Sequence, residues 1–191
     1  MQRTRRGPAW IAGAIGVLLA GATAKGEGEY SRSVRSYSLP DVTLVDRADK
    51  PVQLRALLEA DEPVMLNFIF TRCRGICPVM STIFSSVSKE LGPEAAKLRL
   101  ISISIDPETD TPKQLDVYAA RFGAGPRWTF LTGSAEDIVA VQRAFDTWRP
   151  DKMSHVPLTF FRPARGESWV RFEGFASPKD LAQEYRRAVT R

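Results

Sequence analysis

Two cysteines, Cys73 and Cys77, stand four positions apart in the run Asn67-Phe68-Ile69-Phe70-Thr71-Arg72-Cys73-Arg74-Gly75-Ile76-Cys77-Pro78, and the chain has no others. The run follows an apolar segment and precedes a helical one. A strand that delivers the chain to a helix N-terminus sets thiols against unsatisfied N–H groups and the positive end of the helix dipole, and both favour the thiolate. Residues four apart share one face of a helix, so the two sulfurs can converge on one point. Such a pair can form a disulfide, attack one, or hold a soft metal ion. The three-residue gap does not choose among these. A purely structural bridge is the poorest motivated, because even a loop of about 15 residues returns only about 3 kcal/mol when closed.

Histidine is sparser still. His155 is the only one in the chain, so any imidazole chemistry must use it. It lies in Lys152-Met153-Ser154-His155-Val156-Pro157-Leu158-Thr159-Phe160-Phe161, just ahead of an apolar strand. If that strand lies near the one that ends at the cysteines, two sulfurs and one imidazole meet at one edge of a sheet. Thiolates favour Cu(I) and imidazole accommodates copper in either oxidation state, whereas structural zinc usually takes four protein ligands. Met80 and Met153 are close in sequence but read as packing residues. Asp106 admits two readings, a carboxylate that orients a ligand or a turn cap. Glu108-Thr109-Asp110 reads as a solvated turn.

These residues need elements to position them. Val42 to Val45 and Val52 suggest a short hairpin turning at Asp46 to Lys50, and Leu54 to Leu58 a brief helix. The apolar run Val64 to Phe70 reads as a strand. From Pro78 to Leu91 apolar residues recur at helical spacing and Gly92-Pro93 stops the helix. Leu98 to Ile105 is a strand by its alternation and β-branched content, ended by Asp106-Pro107. Three helix starts carry cap signatures: Thr111 with Gln114, Ser134 with Asp137, and Ser177 with Asp180. Pro112 and Pro178 fall at first helical positions, where the missing N–H costs nothing. Apolar segments at Trp128 to Leu131, Leu158 to Phe161 and Val170 to Phe172 complete an alternation of strands and helices. The pattern predicts one α/β domain with a central mixed sheet flanked by helices.

At 191 residues, 43% hydrophobic and 26% charged, the chain has ordinary globular composition for a single domain. Its net charge of +5 includes Arg3, Arg5 and Arg6 in a leading segment without acids, and +2 remains once residues 1–24 are set aside. No basic cluster interleaved with aromatics is left to argue for nucleic acid. Residues 1–24 read as a signal peptide, with an apolar run from Ala9 to Ala20 and Ala22-Thr23-Ala24 as a small-x-small cleavage site. The alternative is an uncleaved membrane anchor, although the run is short of the roughly 20 residues a spanning helix needs. Membrane contact is expected only in that second case. Residues 25–36 read as a flexible linker and 37–191 as the folded domain. Export places the cysteines in an oxidising compartment.

Taken together, Phe70-Thr71-Arg72-Cys73-Arg74-Gly75-Ile76-Cys77-Pro78, Ser102-Ile103-Ser104-Ile105-Asp106-Pro107-Glu108-Thr109-Asp110-Thr111-Pro112, Leu131-Thr132-Gly133 and His155 before a Phe-rich strand resemble the SCO/SenC family. The resemblance runs from about Tyr37 to the C-terminus. It implies a thioredoxin-like fold and an exported metallochaperone, periplasmic or anchored facing the periplasm in a bacterium. The cargo would be a copper ion held by Cys73, Cys77 and His155, and the recipient the copper subunit of cytochrome c oxidase before its dinuclear centre is filled. The alternative is a thiol-disulfide oxidoreductase in which Cys73 and Cys77 reduce that subunit or another exported thiol protein. The family commonly carries an Asp in the cysteine loop and another before the histidine. Here Arg74-Gly75-Ile76 and Ser154 stand there, which removes negative charge and sets Arg74 beside the thiols, where it would stabilise thiolates. Val156-Pro157 is a candidate for the cis-proline that thioredoxin-fold oxidoreductases place opposite their cysteines.

Overall fold

The computed structural model describes residues 30–189. Eight strands form one mixed sheet: β1 Tyr30–Arg35, β2 Thr43–Asp46, β3 Pro51–Gln53, β4 Val64–Ile69, β5 Arg99–Ser104, β6 Trp128–Thr132, β7 Leu158–Arg162 and β8 Trp169–Gly174. Their order across the sheet is β1-β8-β7-β4-β5-β6-β2-β3. The β4–β5 and β5–β6 pairs are parallel, and β7 lies antiparallel against the other side of β4. Five helices cover the faces: α1 Leu54–Leu58, α2 Ile76–Leu91, α3 Pro112–Arg121, α4 Ala135–Ala144 and α5 Pro178–Val189. This is the expected α/β arrangement with a mixed sheet, and the hairpin, helix caps and strands fall close to their predicted places.

The sheet is sandwiched. One core packs Met65, Phe84, Leu115, Tyr118, Phe161 and Tyr185 under α2, α3 and α5. The other packs Leu44, Leu54, Leu66, Ile138, Phe145 and Phe160 under α1 and α4. Burial on both faces explains why β4 reads as a continuous apolar run rather than an alternating one. Thr111, Ser134 and Ser177 each accept a hydrogen bond from the backbone N–H three residues on. Helix α2 begins at Ile76, two residues before Pro78. Proline is tolerated there because first-turn N–H groups have no partner inside the helix.

One boundary differs from expectation. Tyr30–Arg35, assigned to the linker, is strand β1, paired with β8 from Tyr30↔Gly174 to Arg35↔Trp169. It is an edge strand whose exposed residues are Ser31, Arg32, Val34 and Arg35, so it lacks the apolar alternation that announces a strand. Arg32 Nε and Nη2 donate to the Glu184 carboxylate of α5 at 2.9 and 2.7 Å. Residues 25–29 of the linker, and the expected signal or anchor over residues 1–24, lie outside the described residues. No described helix is long and apolar enough to cross a membrane.

Candidate metal centre

Strand order delivers the chemistry to one end of the sheet. The parallel strands β4 and β5 finish there, and β7, running the other way, begins there. The cysteine loop leaves β4, the Asp106–Asp110 segment leaves β5, and His155 stands three residues before β7.

The two sulfurs are not bonded to each other and both cysteines are buried. Cys77 Sγ lies 3.4 Å from His155 Nε2 and Cys73 Sγ lies 3.9 Å from the same nitrogen. All three donor atoms fall within 4.8 Å of one another. A first-row ion with bonds of about 2.3 Å to sulfur and about 2.0 Å to nitrogen separates such donors by about 3.5–4.0 Å at tetrahedral or trigonal angles, so the cluster fits one ion. Backbone donors also converge on it: Phe70 N–H points to Cys77 Sγ at 3.4 Å, and Cys77 N–H to Cys73 Sγ at 3.3 Å.

His155 Nδ1 is 2.8 Å from the carbonyl oxygen of Lys152. A carbonyl can only accept, so Nδ1 carries the proton and Nε2 presents its lone pair to the sulfurs. Burial holds the imidazole below its ordinary pKa, against the opposing effect of the Lys152 carbonyl, and a neutral ring is the form that binds metal.

The helix-terminus expectation fails at Cys77. Burial pushes that thiol well above its ordinary value, outweighing the Phe70 N–H, and the nearby Cys73 and Asp110 push the same way. Cys77 is wholly buried, and desolvation of a charge exceeds what one long N–H···S contact returns. Arg74 follows Cys73 directly in the chain. Its side chain is exposed, and the groups whose charge acts on Cys77 are Cys73 and Asp110.

Four further expectations meet the structure here. Asp110 is no solvated turn residue. It is fully buried, and its carboxylate accepts from Thr71 N at 3.0 Å, Thr71 Oγ1 at 2.6 Å and Ser104 Oγ at 2.6 Å. The turn that leads to Cys73 is thereby tied to the end of β5. Asp106 closes a turn through its carbonyl, which accepts from Thr109 and Asp110 N–H, while its carboxylate pairs with Lys152 Nζ at 2.8 Å. Met80 is core packing, but Met153 is 66% exposed. No described peptide bond is cis, Val156-Pro157 included. Pro157 behaves as a strand-edge residue whose carbonyl accepts from Gly174 N–H.

The SCO1/SenC family model matches residues 35–190. The chain belongs to the SCO1/SenC family. A SCO1 protein homolog of Bacillus subtilis is 36% identical over 110 residues, which is 57% of this chain and 56% of that relative; the SCO1/SenC chain thus spans little more than half the length of its curated relative. Among solved structures, BsSco, a member of the Sco family of cytochrome c oxidase assembly proteins in which a disulfide switch was identified, is 28% identical with a TM-score of 0.69 over 83% of this chain and 96% of its own. Copper-bound ScoI of Bradyrhizobium japonicum is 26% identical with a TM-score of 0.64 over 76% of this chain and 96% of its own. These matches make the α/β domain of this SCO1/SenC protein thioredoxin-like. Reasoning from the sequence missed Asp110 and Lys152. Thr71 and Ser104 were the available signal for Asp110, since polar residues at buried strand ends require partners.

Proposed function

We propose that this protein is an exported copper metallochaperone that holds one copper ion at Cys73, Cys77 and His155 and passes it to the copper subunit of cytochrome c oxidase. The observation that carries this reading is the meeting of two sulfurs with an imidazole nitrogen whose lone pair faces them, at 3.4 and 3.9 Å. Two soft donors and one borderline donor suit copper. Neither nearby carboxylate adds a fourth ligand: Asp110 is engaged by Thr71 and Ser104, and Asp106 by Lys152. A three-ligand site keeps an open position, through which a recipient's donors can replace these one at a time. Family membership and a copper-bound relative support the reading.

Titration of the reduced protein with Cu(I) against a competing chelator tests it. One copper per chain is expected, and His155→Ala and Cys73→Ser each should weaken binding by more than the tenfold to about hundredfold typical of losing an outer partner. Copper not retained stoichiometrically, or an unchanged His155→Ala, would refute the three-ligand site.

Graded exposure favours a second reading, thiol-disulfide exchange. Cys73 is 7% exposed and Cys77 not at all. Cys73 would attack a partner disulfide, and Cys77 would then displace the partner, leaving a Cys73–Cys77 disulfide and a partner dithiol. A reduction potential of the pair below about −300 mV would mark an inert bridge and exclude this activity.

A further inference from the structure

The carbonyl that sets the tautomer of His155 sits on a segment that the core does not hold. Asp151, Lys152, Met153 and Ser154 are all exposed, and Lys152–Ser154 is a single short 3-10 helix. Its internal bonds, Met153 N to Asp151 Oδ1 at 2.9 Å, Ser154 N to Asp151 O at 3.0 Å and His155 N to Lys152 O at 3.3 Å, fix its shape and tie the carbonyl to the His155 backbone, but do not anchor the segment to the sheet. The Lys152 side chain reaches from it to the sheet. Lys152 Nζ pairs with Asp106 Oδ2 at 2.8 Å, and the Asp106 side chain is only 5% exposed. The same ammonium lies 5.9 Å from the centroid of the Phe70 ring, and that ring meets the His155 ring in a T-shaped contact with centroids 5.2 Å apart.

Asp106 is itself held. Its N–H donates to Ser104 Oγ at 3.0 Å, and Ser104 Oγ donates to Asp110, the carboxylate that also fastens Thr71. The end of β5 thus reaches both arms of the site, the cysteine arm through Asp110 and Thr71, and the histidine arm through Asp106 and Lys152. We infer that Lys152 and Asp106 are positioning residues for His155. Their ion pair seats the Lys152 carbonyl, the carbonyl holds the proton on Nδ1, and Nε2 stays aimed at Cys73 and Cys77. Partners of this kind, one step beyond a ligand, orient imidazoles at metal sites. The residue directly before the ligand, Ser154, is exposed, so the orienting charge comes from two positions further back.

The inference rests on the copper reading for its consequence but not for its geometry, and the two can fail separately. Because His155 is the only histidine, the 15N shifts of its ring need no assignment in the metal-free reduced protein. Wild type is expected to show the Nδ1-protonated tautomer, Lys152→Leu and Asp106→Ala a mixture, and Lys152→Arg a return to the wild-type signal. With copper, Lys152→Leu and Asp106→Ala should retain one ion per chain with affinity lowered about tenfold, and Lys152→Arg should recover it. An unchanged tautomer and affinity in Lys152→Leu would overturn the inference, as would a loss that Lys152→Arg does not restore while thermal midpoints stay alike. A wild-type protein that takes no copper but whose tautomer responds to Lys152→Leu would overturn the copper reading and leave the positioning role standing.

Discussion

Asp110 shows how one buried carboxylate can govern a loop it does not belong to. Three donors, two of them from Thr71, converge on its oxygens, and Cys73 follows two residues later in a turn closed by Cys73 N–H to Phe70 O at 3.1 Å. Asparagine at this position has the right shape but only one acceptor oxygen. Its amide would face the Thr71 hydroxyl, which must then turn from donor to acceptor, and bonds to a carboxylate are replaced by weaker neutral ones at a cost of about 1 kcal/mol. Asp110→Asn is therefore expected to lower the urea midpoint and to weaken copper retention. An unchanged midpoint would show that the three bonds are replaceable. The reactive trio Cys73, Cys77 and His155 could be singled out from sequence because cysteine and histidine are so scarce here. Asp110 could not be told from Glu108 two residues earlier, since the sequence does not say which acid turns inward. That choice is made by Thr71, 39 positions away.

At the scale of elements, legibility followed locality. The caps at Thr111, Ser134 and Ser177 involve residues three apart and were readable, as was the stop at Gly92, whose φ of 55° suits glycine. Strand β1 was not readable, because its reasons are remote: a register with β8 and an ion pair from Arg32 to Glu184, 152 residues along. That pair makes a prediction about the element. Arg32 is 41% exposed while the Glu184 side chain is 8% exposed, so removing the arginine strands a carboxylate in the interface with α5. Arg32→Ala should cost about 1–2 kcal/mol, less than the about 3–5 of a fully buried pair because solvent reaches Arg32. The β1 amides should also exchange faster with solvent, while those of β4 and β5 keep their protection. Equal exchange across the sheet would mean that β1 does not depend on the pair.

The molecule as a whole separates its two ends. What brings the site together, β7 running antiparallel beside β4 while β5 runs parallel on its other side, is a long-range outcome that no local pattern announced. At the opposite end, where β4, β5 and β6 begin, Glu62 accepts from Arg99 Nη2 and from Arg127 Nη2, each at 2.8 Å. Hydrogen bonds from these guanidiniums hold the Glu62 carboxyl below its ordinary value of 4.5. In the window between the two values the unfolded chain binds more protons than the folded one, so stability rises with pH there. The contribution is complete above about pH 4.5 and is lost as pH falls through the lower folded value. The Glu62 side chain is 37% exposed, and solvent screening keeps the effect near about 0.5 kcal/mol, the scale of an exposed pair. Glu62→Gln should thus unfold at lower urea than wild type at neutral pH, and the two midpoints should merge in acid. Because the strands separate Glu62 from the cysteines, its copper affinity should equal that of wild type, and its stability loss should add to that of Asp110→Asn within about 0.5 kcal/mol. A midpoint gap that persists in acid would show that Glu62 acts through packing rather than charge.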